Sequence, residues 1–391
     1  MKIVYILDSL AIVGGVERII TGKMNWLADV AGYEVTLITA SQGQHAYPYR
    51  LSERVRHIDI DARFHLQYRY RQPMRLYVRW QTGRRFRCKL AEQIRLIDPD
   101  IVISTVHYKA DVACGLKCRA VKIVESHTAR SFTGSNDGVR RSRIMQWLHG
   151  LDHARYLRRI ERCADVVVAL TEGDTAEWGG ARRVCVIPNM CMEQPAASGR
   201  PREKRVIAVG RLIYQKGFDM LVDAWRTVSA AHPDWRLDIF GSGPDACSLQ
   251  RQISGCGLDG SITIHEPTAE IAAEYARSSL MVLSSRYEGF GLVLIEAMLQ
   301  GTPCVSFACP YGPSDIIRDR EDGLLVENGN AGKLAEALCY MIEHGDERAE
   351  YGRRAMANAR RYAPEAVMPQ WTRLFSSLTD VAGDTADTLK T

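Results

Sequence analysis

No apolar run in this sequence approaches the roughly eighteen residues that a membrane-spanning helix requires. The longest, such as KIVYIL at the start and VVVAL at 166–170, are strand-length, and no transmembrane helix is expected. The N-terminus meets Asp8 after a short apolar stretch and offers no small-residue cleavage site, so no secretory signal is expected either. The eleven cysteines are odd in number, and neighbours such as Cys114 and Cys118, Cys185 and Cys191, or Cys304 and Cys309 do not have the Cys-x-x-Cys spacing. A reduced, cytoplasmic protein without structural zinc or a disulfide framework is expected. Acid is missing from one stretch: between Asp61 and Glu92 there is none, while Arg63, Arg69, Arg71, Arg75, Arg79, Arg84, Arg85, Arg87 and Lys89 supply nine positive charges. The remainder of the chain holds 42 basic against 46 acidic residues, so the net charge of +5 belongs to one surface.

What is present is 391 residues, 46% hydrophobic and 25% charged, enough for two domains each with its own core. KIVYIL, EVTLIT, DIVIST, VKIVES, DVVVAL and VCVIPN read as a first series of strands, with helices expected over 16–31 and near 86–97. NMCMEQPAASGRPREK, over 189–204, is aperiodic and rich in Pro, Ser, Gly and charge, which reads as a linker. RVIAVG, RLDIFG, SITIHE, LMVLSS and TPCVSF form a second series, interleaved with helices over 217–231, 247–256, 270–277 and in VLIEAMLQG. Further helices are expected near 331–344, 347–362 and 364–378. Strands alternating with helices imply parallel sheets covered on both faces. The expected architecture is α/β: two doubly wound domains, 1–188 and 205–363, with 364–391 as a helix crossing back to the first domain and a tail. In such sheets ligands bind beyond the carboxyl ends of the strands.

The residues after those strands carry the chemistry. DSLAIVGGVER places Gly14 and Gly15 directly before a helix, where a phosphate or sugar can approach bare backbone; a plain turn is the alternative. The G-x-G-x-x-G dinucleotide fingerprint is absent, and no acid closes the second strand, TLITAS. In RVIAVGRLIYQKGFDML, Arg211 follows a strand and Lys216 precedes a helix. Two such cations suit a diphosphate, Arg as a planar fork and Lys as a mobile point charge, although solvated surface residues would look the same. RLDIFGSGPD adds Gly241 and Gly243, again a turn or a site. RYEGFGLVLIEAMLQG, over 286–301, is more informative. Gly289 to Gly291 leave an unobstructed helix start, which stabilises negative charge. Glu296 falls inside the helix in an apolar run, where a lone carboxylate would be costly. A phosphate at the helix start, ribose hydroxyls on Glu296 and sugar hydroxyls on Glu288 would account for the stretch; two ordinary salt-bridged acids are the alternative.

Taken in order, Gly14-Gly15-Val-Glu-Arg, the Gly-Arg-Leu-x3-Lys-Gly of 210–217, the Gly-x-Gly-Pro of 241–244 and Glu288-Gly-Phe-Gly-x4-Glu296-Ala resemble glycosyltransferase family 4, retaining enzymes of the GT-B fold. The resemblance covers about residues 1–365. It implies two Rossmann-like domains facing a central cleft, a nucleotide-diphosphate-sugar donor held mostly by the second domain, with UDP the expected nucleotide, and an acceptor on the first. It also implies that Arg211 and Lys216 grip the diphosphate and stabilise the leaving group. Glu296 would bind the ribose, and Glu288 with Phe290, Gly291 and Leu292 the donor sugar. Gly14, Gly15 and Gly241 would complete the nucleotide-sugar set. His127, in VKIVESHTAR, matches the family's His beside the reacting sugar, with His107 after DIVIST a weaker competitor. No metal or other cofactor is implied, since basic side chains and a helix dipole take the place of a divalent ion. Net retention by front-face attack is implied, with Glu288 as covalent nucleophile the alternative.

Two further stretches bear on the acceptor. FACPYGPSDII resembles the Cys-Pro-x-Gly-Pro variant of enzymes that add hexoses or N-acetylhexosamines to lipid-linked or capsular oligosaccharides. The basic stretch over 63–89 interleaves its cations with Phe64, Tyr68, Tyr70, Tyr77, Trp80 and Phe86, which suits an anionic bilayer surface; a solvated loop and helix is the alternative. Nucleic acid is not expected. The reading is a cytoplasmic glycosyltransferase, peripheral at the inner membrane face, acting on a polysaccharide or lipid-linked oligosaccharide. The competing readings are a nucleotide-sugar epimerase or hydrolase on the same fold, and a nucleotide-sugar-sensing protein without turnover.

Overall fold

The computed structural model describes residues 1–12, 14–71, 73–133, 143–194 and 202–387. It divides into two compact units, Met1–Ile187 with Met368–Thr391, and Pro188–Val367. Of the expected linker over 189–204, residues 195–201 lie outside the described residues, and a strand already begins at Glu203.

The first unit holds strands β1 (Lys2–Leu7), β2 (Glu34–Thr39), β3 (Arg56–Asp59), β4 (Ile101–Thr105), β5 (Val121–Ser126), β6 (Val166–Ala169) and β7 (Val184–Val186) in the order β3-β2-β1-β4-β5-β6-β7. Every pairing is parallel, with Ile3 opposite both Val35 and Ile101. The second unit holds β8 (Glu203–Val209), β9 (Arg236–Phe240), β10 (Ile262–His265), β11 (Ser278–Leu283), β12 (Cys304–Phe307) and β13 (Gly323–Val326) in the order β10-β9-β8-β11-β12-β13, also all parallel. Helices cover both faces, so Val206, Ile207 and Ala208 of β8 are all buried although they point alternately up and down. Each fully buried Val, Ile or Leu side chain contributes about 1.5–3 kcal/mol. The edge strands β3 and β13 are the two that the apolar runs did not announce.

Strand order reverses between β1 and β4 in the first sheet and between β8 and β11 in the second. At such a switch point the flanking loops diverge to opposite faces and open a crevice at the carboxyl ends of the strands. The loops over 210–217 and 284–291, which carry Arg211, Lys216 and Glu288, are the two that flank the second switch point.

The basic stretch forms a 3₁₀ turn, Phe64–Arg69, and a helix, Met74–Ile97, that starts twelve residues before the expected one. Thr82, Phe86, Leu90 and Ile94 recur every fourth residue as its buried stripe. The last helix, Pro364–Asp387, passes from the second unit to the first between Val367 and Met368, and its Trp371 and Phe375 are fully buried. All eleven cysteines are free. Among the described residues no helix is long and apolar enough to cross a membrane.

Candidate functional site

At the second switch point the two loops are joined by charge. Lys216 Nζ lies 2.5 Å from Glu288 Oε1, and the Ser285 hydroxyl donates to the same oxygen at 2.6 Å. Lys216 is mostly buried and Glu288 more so, with 14% and 7% of their side chains exposed, so the pair is shielded from screening by salt. Ser284 Oγ donates to the Lys216 carbonyl at 2.9 Å, which fixes one loop to the other through the backbone as well. Arg211 projects into solvent and its guanidinium has no hydrogen-bond or ion-pair partner among the described residues. An exposed cation and a mostly buried one in the same loop make an arrangement that can receive an anion with two phosphate groups.

The glycines here have separate causes. Gly217 ends the Tyr214–Lys216 turn at φ +61° and starts the helix Phe218–Ala231; a Cβ there would lie 2.1 Å from the Ser284 carbonyl oxygen. Gly241 allows the ends of β8 and β9 to touch, since its Cβ would lie 1.9 Å from the Gly210 carbonyl oxygen. Its amide donates to His265 O at 2.9 Å, so what Gly241 offers a ligand is closeness of backbone and not an N–H.

Beyond Glu288, Phe290 is buried edge-on against Tyr362, and Gly291, at φ +97°, caps the helix Leu292–Leu299. The first amides of any helix have no acceptor within it and carry partial positive charge, so the N-terminus at Leu292 can meet an anion. Glu296 is buried in this helix, and the Tyr275 hydroxyl donates to its Oε2 at 3.3 Å. The 309–313 loop closes over the stretch: the Glu288 amide donates to Pro310 O at 2.8 Å, and the Tyr311 amide to Glu288 O at 3.2 Å. Burial, with the Glu288 charge behind it, pushes the Cys309 thiol up to about 12, which leaves it an inert neighbour.

In the first unit Gly14 is the N-cap and Gly15 the first residue of the helix Gly15–Asp29. Just over two turns further on, Lys23 is buried against the sheet, its Nζ 3.4 Å from the centre of the Trp371 ring and 2.6 Å from Glu125 Oε2. Glu125 is the penultimate residue of β5, and its Oε2 also meets His127 Nε2 at 2.9 Å. The His127 imidazole is fully buried. Burial outweighs the attraction of Glu125 and brings the Lys23 ammonium down to about 8. For Glu125 burial works the other way, but the Lys23 charge and the His127 hydrogen bond overcome it and hold the carboxyl down to about 2. The loop after His127 is fastened from its far side by Asp174, which accepts from the Arg130 amide at 2.8 Å and the Ser126 hydroxyl at 2.9 Å. His107 reaches the same loop, with Nε2 2.8 Å from Thr128 Oγ1.

Comparison with known proteins agrees with this division. A model of "Glycosyltransferase Family 4" matches residues 13–191 and one of "Glycosyl transferases group 1" matches 193–358, so between them they cover 13–358 apart from Met192. The chain belongs to the glycosyltransferases. Its fold is GT-B. An exopolysaccharide phosphotransferase of Streptomyces coelicolor is 32% identical over 74% of this chain, which spans 30% of that protein's length. An uncharacterized glycosyltransferase of Haemophilus influenzae is 26% identical over 95% of this chain and 98% of its own. The structure of Staphylococcus aureus TarM, crystallised with UDP, superimposes with a TM-score of 0.76 at 16% identity, over 96% of this chain and 99% of that one.

The residues of this glycosyltransferase that sequence reasoning missed are Lys23, Glu125, Asp174 and Ser285. Lys23 left a signal, since it lies four residues from both Ile19 and Leu27 and so falls on the buried stripe of its helix. Glu125 left another, as a carboxylate directly after the apolar pair Ile123 and Val124 in a central strand. An Asp-x-Asp spacing, Asp59-Ile-Asp61, also ends a strand, but Asp59 accepts from the Gly43 amide at 2.7 Å and Asp61 pairs with Arg63 at 2.6 Å.

Proposed function

We propose that this glycosyltransferase moves a hexose or N-acetylhexosamine, with retention and without a metal ion, from a nucleotide-diphosphate sugar to a polysaccharide or lipid-linked oligosaccharide. The observation that carries this reading is the convergence at one switch point of Lys216, Glu288, Arg211 and the helix start at Gly291 and Leu292. Arg211 and Lys216 hold the diphosphate, Glu296 takes the ribose hydroxyls, and Glu288 with the Phe290 and Gly291 backbone takes the sugar. Gly14 and Gly15 give a phosphate or acceptor room at the first unit's helix start. As the bond from the anomeric carbon to the diphosphate oxygen breaks, the acceptor oxygen bonds to the same face of that carbon, and the departing phosphate takes the acceptor's proton. UDP is the expected nucleotide, as in the TarM complex.

Thermal unfolding with UDP, GDP and ADP tests the donor. A nucleotide at a hundredfold its dissociation constant adds about 2.7 kcal/mol of stability. UDP is expected to raise the midpoint, EDTA to leave both the shift and turnover unchanged, and a midpoint indifferent to all three nucleotides would overturn the reading. The two glutamates separate in the same assay. Glu296→Gln is expected to weaken UDP binding itself, whereas Glu288→Gln spares free UDP and damages transfer from the UDP-sugar. Equal losses of UDP affinity would show that the roles are not divided in this way.

The same proposal places the enzyme at the cytoplasmic face of an anionic membrane. Met74, Leu76, Tyr77 and Trp80 are all more than half exposed on the helix that carries the arginines, and Arg84 lies over the Trp80 ring at 5.7 Å. Each basic residue near such a surface contributes about 1 kcal/mol, less in salt, while the apolar side chains add a component that salt does not screen. Wild-type protein is expected to co-sediment with vesicles containing phosphatidylserine, and the Arg75→Glu, Arg79→Glu, Arg84→Glu and Arg85→Glu combination is not. Equally weak binding of both proteins to anionic and neutral vesicles would leave the segment as a solvated helix.

A further inference from the structure

We propose that Lys23 and Glu125 are positioning residues for His127, holding its imidazole inward by one hydrogen bond so that the loop after β5 presents the His127 main chain at a fixed place. The proposal rests on the glycosyl-transfer reading for what that loop is used for, and on geometry for the rest. Lys23 comes from the first helix, Glu125 and His127 from the end of β5, and Trp371 from the last helix, so the chain of contacts ties three separate elements together.

The contacts are directional. Glu125 Oε2 receives both Lys23 Nζ and His127 Nε2, at 2.6 and 2.9 Å. An ionised carboxylate only accepts, so the ring hydrogen on that side is on Nε2. Nδ1 is buried and has no protein partner among the described residues, and the side chain as a whole has no exposed surface. What remains of His127 at the surface is its backbone, 6% of the residue's area. A ring pinned through one nitrogen cannot rotate without breaking the bond to Glu125, and Glu125 cannot follow because Lys23 and the strand hold it. Asp174 fastens the far side of the same loop through Ser126 and Arg130. The loop is therefore clamped from both sides, and on the inner side the hydrogen bond from His127 Nε2 does the positioning. Lys23 keeps Glu125 ionised and so purely an acceptor, and breaking one partner of a buried ion pair alone leaves the other uncompensated, so the two are changed together.

Two double variants separate positioning from packing. Lys23→Met with Glu125→Gln removes both charges and keeps an amide oxygen for His127 Nε2–H; Lys23→Met with Glu125→Leu removes both charges and the hydrogen bond. The full-length proteins are compared for unfolding midpoint, kcat, donor KM and UDP affinity. The expected result is similar midpoints and unchanged UDP affinity for both, with kcat within about threefold of wild type for the Gln variant and lowered at least about thirtyfold for the Leu variant. Equal kcat in the two doubles would overturn the proposal. Should either double fail to fold, ¹⁵N shifts of the imidazoles in wild type decide, with His127 assigned by His127→Gln: hydrogen on Nε2 supports the clamp, and hydrogen on Nδ1 alone overturns it. That measurement needs no turnover, whereas a wild-type protein that transfers no sugar from any nucleotide donor counts against glycosyl transfer and not against the clamp.

Discussion

Alanine in place of Arg211 or Lys216 is expected to lower turnover by about 10²–10³, or about 2.7–4 kcal/mol of barrier, the scale on which fixed donors at a developing anion act. The two variants should differ in a second respect. Arg211 is exposed and without a partner among the described residues, so its loss leaves the unfolding midpoint where it was. Lys216 is paired with a buried carboxylate, and its loss leaves Glu288 with the Ser285 hydroxyl, so the midpoint falls too. Adding Glu288→Gln to Lys216→Ala should then recover stability without recovering turnover. Near-normal kcat in both single variants, measured as released nucleotide and transferred sugar, would remove these cations from the leaving-group site. A fall in kcat that tracks the midpoint would assign Lys216 to structure alone.

Much of this site could be read before the fold was known, because its parts are local. Arg211, Lys216, Glu288 and Glu296 stand at fixed distances from strand ends, and a strand end can be recognised from an apolar run. Partners that depend on topology could not be read. Lys216 meets Glu288 because β11 lies beside β8, a neighbour relation set by the crossover and not by spacing along the chain. Lys23 and Glu125 are 102 residues apart, and each looks like an exception in its own element until the helix packs on the sheet. The edge strands were lost for a different reason. RHID has a single apolar residue, Ile58, and none of its four is fully buried, and GLLV is four residues long, so neither gives the continuous apolar run of a central strand. The start of the helix at Met74 was hidden by arginine: its buried stripe begins only at Thr82, and the turns before it expose almost every side chain.

Gly217→Ala against Gly257→Ala tests whether the switch point is as tightly built as its distances imply. Both glycines lie in the second unit at nearly the same positive φ, +61° and +69°, so an alanine pays the same backbone penalty at each, about 1–2 kcal/mol. Their surroundings are opposite. A Cβ on Gly257 meets nothing within 4 Å, whereas on Gly217 it lies 2.1 Å from the Ser284 carbonyl oxygen and 2.6 Å from Met220 Cε. The methionine can move, but the carbonyl belongs to the loop that leads to Glu288, and Ser284 also donates to the Lys216 carbonyl. Gly217→Ala is therefore expected to lose about 3 kcal/mol or more in urea unfolding followed by the fluorescence of Trp225 and Trp235, and Gly257→Ala no more than about 2. Turnover should fall in the first variant even where it is fully folded, because relieving the contact moves Ser284 and separates Lys216 from Glu288. Equal urea midpoints for the two variants would mean that the loops yield at little cost, and a site held so loosely could not keep its cation in place for the leaving phosphate.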